Sequence, residues 1–201
     1  MAVVSGGMSV LIRNAQALVP VSRSRLRRDA ELLLRVLLVT GRSAPPPPPR
    51  RLLLSALCVS SRRIRNLNLH YRGEDRATDV LAFPYAQVVA PGVLPEAKDG
   101  ADDSLMDSLG DVNLGDVYLG VSYIQQSLRA GERFHDALTV SETPARRTPQ
   151  VTLLHGMCHL LGYTHDTMAD WKQMYEKESE VLLEYGRNTG ITLAPLTAGT
   201  F

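Results

Sequence analysis

The chain has 201 residues and only two cysteines, Cys58 and Cys158. Two cysteines make no disulfide framework, and no secretory signal opens the chain, so both are expected to be reduced thiols in an intracellular compartment. No apolar run approaches the roughly 18 to 20 residues that span a bilayer, so no membrane partner is expected. The longest such runs, Leu52 to Val59 among them, suit a strand buried on both sides. Cys58 lies in that run and reads as a small core hydrophobe. Lysine is absent from the first 65 residues and acid from the first 28. There is no internal repeat and no second set of elements that would make a second domain.

Hydrophobic residues make up 44% of the chain and charged residues 21%, which excludes wholesale disorder and suits one domain with a true core. The net charge of +1 conceals an asymmetry. Residues 1–65 carry twelve arginines against Asp29 and Glu31, a net of +10, which leaves −9 for the rest. A basic half can attract phosphate backbones. Met1 to Arg28, with five arginines and four serines, equally suits a mitochondrial presequence. Ser9 to Asn14 reads as a first strand, with residues 1–7 as a leader or extension and one domain over 8–199.

Periodicity predicts an amphipathic helix over Arg23–Thr40, with Leu26, Ala30, Leu33, Leu34 and Leu37 on one face and Gly41 as its stop. Five consecutive prolines make 44–50 an extended polyproline loop. Ser60 or Ser61 caps a helix to Leu69, and Thr78–Pro84 reads as a short strand ended by proline. Residues 86–111 are rich in Gly, Pro and acid and are expected to form a mobile surface loop. Leu114–Val121 is a further strand and Tyr123–Ala130 a short helix. Residues 141–150, with Pro144 and Pro149, are expected to be a surface loop. Val151–Leu161 and Thr167–Tyr185 are the last two helices, the second with Met168, Trp171, Met174, Val181, Leu182 and Tyr185 as its buried stripe. Thr167 with Asp170 resembles a capping box.

The segment His155-Gly156-Met157-Cys158-His159-Leu160-Leu161-Gly162-Tyr163-Thr164-His165 holds three of the five histidines. His155 and His159, four apart on a helix, project about 40° from one another on one face. Gly162 can adopt the left-handed conformation that turns the chain back, so His165 returns as a third ligand. Three imidazoles with an open fourth position is the layout of a catalytic zinc, which acidifies its bound water. Nickel or copper would accept the same ligands. A structural zinc usually closes with a fourth protein ligand, often Cys. Cys158 lies near His155 on the helix but is surplus to three histidines, and His70 and His135 read as surface residues. Asp166 could steady an imidazole or cap the following helix. The spacing also matches the zinc-protease pattern H-E-x-x-H-x-x-G-x-x-H in every position but one. Gly156 stands where a protease has its general base, so ordinary peptidase chemistry is not expected.

These residues, with three further blocks, resemble the YbeY family of single-strand-specific, metal-dependent endoribonucleases that mature ribosomal RNA. His155–His165 fits its H-G-x-x-H-L-x-G-[FY]-x-H signature. Leu67–Gly73 followed by Thr78–Pro84 is similar to its L-N-x-x-Y-R and T-[DN]-V-L-S-F-P blocks, Leu114–Gly120 to its L-G-D-[IV] strand, and Met8–Asn14 to its amino terminus. The animal members look closest. The resemblance implies an α+β single domain, a small mixed sheet of about four strands with about five helices, the metal helix towards the carboxyl end. It further implies one zinc per chain on His155, His159 and His165, and Arg72 as a catalytic residue that grips a phosphate. The implied partners are single-stranded RNA, ribosomal RNA and a small-subunit ribosomal protein. The mitochondrion is the expected compartment, with cytoplasm or nucleus as alternatives. Ala82 departs from the family's usual Ser, and 141–150 interrupts the family's continuous run into the first histidine. Two rival readings remain open at this point: a metalloprotease-like zinc hydrolase, and a non-catalytic ribosome-assembly factor with structural zinc.

Overall fold

Alternating apolar residues build a four-stranded sheet from β1 (Gly7–Asn14), β2 (Arg51–Val59), β3 (Val80–Pro84) and β4 (Val112–Gly120). The strand order is β1-β2-β4-β3. The first three strands in that order run parallel, and β3 lies antiparallel to β4 at the edge. This computed structural model describes residues 7–40, 51–94, 111–128 and 148–199. The polyproline stretch, Gly41, His135, residues 1–6, residues 95–110 of the expected 86–111 loop and residues 141–147 of the expected 141–150 loop fall outside the described residues.

Together with five helices the sheet makes one α+β domain. The helices are α1 (Arg23–Val39), α2 (Ser61–Arg72), α3 (Val121–Gln126), α4 (Pro149–Leu160) and α5 (Met168–Thr189). The main core lies where α1 and α4 meet one sheet face, with α5 packed against both helices. Leu26, Ala30, Leu33, Leu34 and Leu37 of α1 are all buried there, as the 3–4 spacing predicts. β2 is not buried on both sides. Leu52, Leu54, Ala56 and Cys58 are buried, whereas Leu53, Ser55 and Leu57 are only half covered. Among the described residues, the far face carries a small cluster of Val59, Ile64 of α2 and Leu81, with Phe83 and Tyr118 beside it, whereas Val121 and Ile124 of α3 join the main core. Among the described residues, no helix is long and apolar enough to cross a membrane.

Several element ends differ from expectation for local reasons. β1 takes in Gly7, one residue of the stretch expected as leader. α2 runs one turn past Leu69, to Arg72, because Gly73 accepts the left-handed φ of 71° that closes the helix. α3 begins at Val121 and stops at Gln126, and residues 129–130 of its expected span are outside the described residues. α4 starts at Pro149, inside the expected loop. The Thr148 hydroxyl accepts the Val151 N–H at 3.3 Å, and proline fits the first helical position because its missing N–H would have no helical partner. Met168, expected in the buried stripe of α5, is 61% exposed because it is the first residue of the helix. Part of the expected 86–111 loop is packed. Leu94 reaches the main core, and the Gly92 N–H donates to the Leu161 carbonyl at the end of α4.

Candidate metal centre

α4 is held from both ends. At its start Gln150 Nε2 donates to Asp29 Oδ2 of α1 at 3.0 Å, and the same carboxylate accepts the Tyr185 hydroxyl of α5 at 3.0 Å. The break before Val151 therefore leaves His155 on a capped and anchored helix. At its end Gly162 has φ +80°, and the Tyr163 N–H turns back to the Cys158 carbonyl at 3.0 Å. That reversal returns His165 to the two helical histidines.

The three imidazoles converge. One ligand nitrogen from each of His155, His159 and His165 lies within 4.8 Å of the others. The Nε2 atoms of His155 and His159 are 3.1 Å apart, close to the about 3.3 Å expected for two nitrogens on one tetrahedral zinc. Hydrogen bonds orient both rings. His159 Nδ1 lies 2.9 Å from the Tyr163 carbonyl, which can only accept, so Nδ1 carries the proton and Nε2 keeps its lone pair. His155 Nδ1 lies 2.7 Å from Glu178 Oε1 and does the same. Neutral imidazoles with inward lone pairs are the donor set a borderline-soft divalent ion takes, so these residues fit a metal. Cys158 is buried beside the cluster and is not a member of it.

Burial, and then the neighbouring His155, push the His159 pKa down to about 3. His165 is lowered in the same direction, first by burial. The sign for stability follows. The unfolded chain takes up a proton at His159 below about pH 6.5, while the folded chain does so only near pH 3. The unfolded state thus binds more protons in that window. Metal-free protein is expected to keep this stability above about pH 6.5 and to lose it on acidification, by on the order of 1 kcal/mol per pH unit. Urea unfolding of chelated protein at pH 7 and pH 5 measures it, and a midpoint unchanged at pH 5 contradicts the assignment.

Arg72 and the histidines share one cleft of about 690 Å³, lined also by Tyr71, Arg76 and the residues from Thr78 to Pro84. Arg72 is exposed at the end of α2, and its positive charge helps hold the His159 pKa down. Arg76 pairs with Glu74 at 3.1 Å, whereas no ion pair of Arg72 occurs among the described residues. A guanidinium in one cleft with three nitrogens that could hold a metal can bind an anion that reaches both. His70 is exposed, as expected.

Glu178 is the site residue that sequence reasoning missed. It is fully buried, with Oε1 on His155 and Oε2 accepting the Thr197 N–H at 3.0 Å. Asp166, which could steady an imidazole or cap the following helix, is exposed, and its negative charge works against the lowering of the His165 pKa. The missed signal was positional. Glu178 sits four after Met174 and three before Val181, on the buried stripe of α5, where an unpaired acid is too costly to keep.

The profile of the family described as Endoribonuclease YbeY matches residues 12–186. A human protein named Endoribonuclease YbeY is 39% identical over 194 residues, which is 96% of this chain and 98% of that protein. One of the same name from Thermoanaerobacter sp. is 34% identical over 67% of this chain and 76% of its own length. A solution structure of a Thermotoga maritima protein aligns with TM-score 0.43 and 20% identity over 90% of this chain and 94% of that one. With a profile match across most of its length and a relative of nearly equal span, the chain belongs to the YbeY endoribonuclease family.

Proposed function

We propose that the protein is a zinc-dependent hydrolase that cuts single-stranded RNA, with ribosomal RNA as its substrate class. The observation that supports this reading is one cleft lined by Arg72 and by His155, His159 and His165, in a chain of an endoribonuclease family. His155, His159 and His165 would hold the ion, one per chain. A zinc ion bound there supplies Lewis acidity and an acidified water. Glu178 and the Tyr163 carbonyl hold two of the rings in the tautomer that presents Nε2. Arg72 binds the scissile phosphate and neutralises the charge that builds on it. The arginine-rich stretch before residue 66 supports a partner with a phosphate backbone. A small-subunit ribosomal protein as docking partner and a mitochondrial location complete the proposal.

The test is cleavage of a single-stranded ribosomal RNA fragment and of its duplex by purified protein, beside His159→Ala and Arg72→Ala. Arg72→Ala is expected to lower kcat by about 100-fold, the scale seen when one charge-stabilising donor is removed. Because the side chain is exposed, the melting temperature should not move. Full activity in Arg72→Ala, or equal cleavage of the duplex, contradicts the proposal.

A further inference from the structure

The cleft is not confined to one side of the sheet, because β3 is an edge strand and its pleat sends alternate side chains to opposite faces. Val80 and Ala82 point to the main core beneath α4, the side that carries the histidines. Leu81 and Phe83 belong to the small cluster on the α2 side. Both Phe83 and the three histidines nevertheless line the same cleft, so it wraps around the edge of β3 that has no strand partner among the described residues. On the α2 side it meets a row of rings. His70 and Tyr71 have centroids 4.7 Å apart, Tyr71 and Phe83 4.8 Å, and Phe83 and Tyr118 5.5 Å, all edge to face. Tyr71 is 61% exposed although it is braced by two of these contacts.

We propose that Tyr71, with Phe83 behind it, is a stacking platform for an unpaired base of the substrate strand, across the β3 edge from the three histidines. The proposal rests on the ribonuclease reading and deepens it. A lone exposed tyrosine is unremarkable on a protein surface. This one lies in the cleft, is oriented by aromatic neighbours, and shares that cleft with the guanidinium of Arg72. Edge-to-face packing fixes the ring while leaving it accessible, which lowers the ordering needed when a base lands on it. In a single strand the base swings freely about the backbone and can rest on Tyr71 while a phosphate turns around the β3 edge to the histidines. In a duplex the bases are paired and stacked inside, and the platform gains nothing. Strand selectivity is thus built into the two-sided cleft rather than into the metal.

The experiment uses a short single-stranded RNA carrying 2-aminopurine beside the cleavage site, and the same strand with an abasic site at that position. Purified wild-type protein, Tyr71→Phe and Tyr71→Ala are compared. Wild type and Tyr71→Phe are expected to quench the 2-aminopurine emission on binding, and Tyr71→Ala not to. Tyr71→Ala should raise KM on the base-bearing strand by about tenfold, the scale of one base–aromatic stack. It should leave kcat within about twofold and the metal content unchanged. On the abasic strand wild type and Tyr71→Ala should have the same KM. Wild-type cleavage with no KM change in Tyr71→Ala, or an equal change on the abasic strand, overturns the platform alone. Wild-type protein that cleaves no single-stranded RNA overturns the nuclease reading and the platform with it.

Discussion

Gly156→Glu, which restores the full zinc-protease pattern, is expected to unfold the protein and to yield no peptidase. A Cβ at position 156 would stand 2.7 Å from Val117 Cγ1 and 3.1 Å from Val80 Cγ2. Val117 is fully buried on β4 and, being β-branched, cannot rotate its methyl aside. Even Gly156→Ala is unfavourable on balance. Alanine gains about 1 kcal/mol of helix propensity over glycine, while overpacking a tight core costs about 1–3 kcal/mol. Glutamate adds a carboxylate driven into the sheet face with no partner, at several kcal/mol more, a large share of the 5–15 kcal/mol that holds a domain together. Circular dichroism on heating, with a peptide-cleavage assay, gives the answer. The expected order of melting is wild type, then Gly156→Ala, with Gly156→Glu unfolded or insoluble. A Gly156→Glu protein with native melting and peptidase activity contradicts the packing described here. The glycine that separates this motif from the protease pattern is therefore a packing requirement: α4 lies so close to β3 and β4 that the position facing the sheet has no room for a side chain.

His155→Ala and His165→Ala should abolish metal binding alike, yet differ by several kcal/mol in the stability of the metal-free protein. His155 is 5% exposed, and its Nδ1 lies 2.7 Å from Glu178, which is fully buried. Removing the imidazole leaves that carboxylate with the Thr197 N–H as its remaining close partner and opens a cavity beside it. A buried carboxylate that loses a hydrogen-bond donor costs about 1–3 kcal/mol or more, and the cavity left by the imidazole adds to it. His165 stands on the turn after α4, partly exposed, where truncation removes a ligand and little packing. Its effect on metal-free stability should stay within about 0.5 kcal/mol. Urea unfolding of both variants in chelator reads the difference. Equal midpoints would mean that Glu178 does not hold His155 in the folded state.

Much of this was legible in the sequence because it rests on short-range periodicity. The His155–His159 pair needs only a helix, and Gly162 needs only a left-handed turn, so the metal cluster followed from eleven residues. The stripe of α1 and the capped start of α2 were equally local. What was not legible depended on contacts far apart in the chain. Glu178 reaches His155 across 23 residues, and its partner Thr197 lies beyond α5. The half-covered face of β2 depends on how few helices pack there, which an apolar run cannot reveal. The start of α4 was misplaced because Pro149 was read as a helix breaker, whereas Thr148 makes it a first helical residue. Arg72 was singled out by resemblance alone, and that it shares a cleft with the histidines depended on α2 running on to Arg72.

The most direct measurement titrates zinc into chelated protein and follows, on one sample, bound metal per chain and the initial rate of cleavage of a single-stranded ribosomal RNA fragment. The account predicts that both rise together and level off at one ion per chain, and that neither rises in His159→Ala. Full cleavage by metal-free protein, or by His159→Ala, would contradict it.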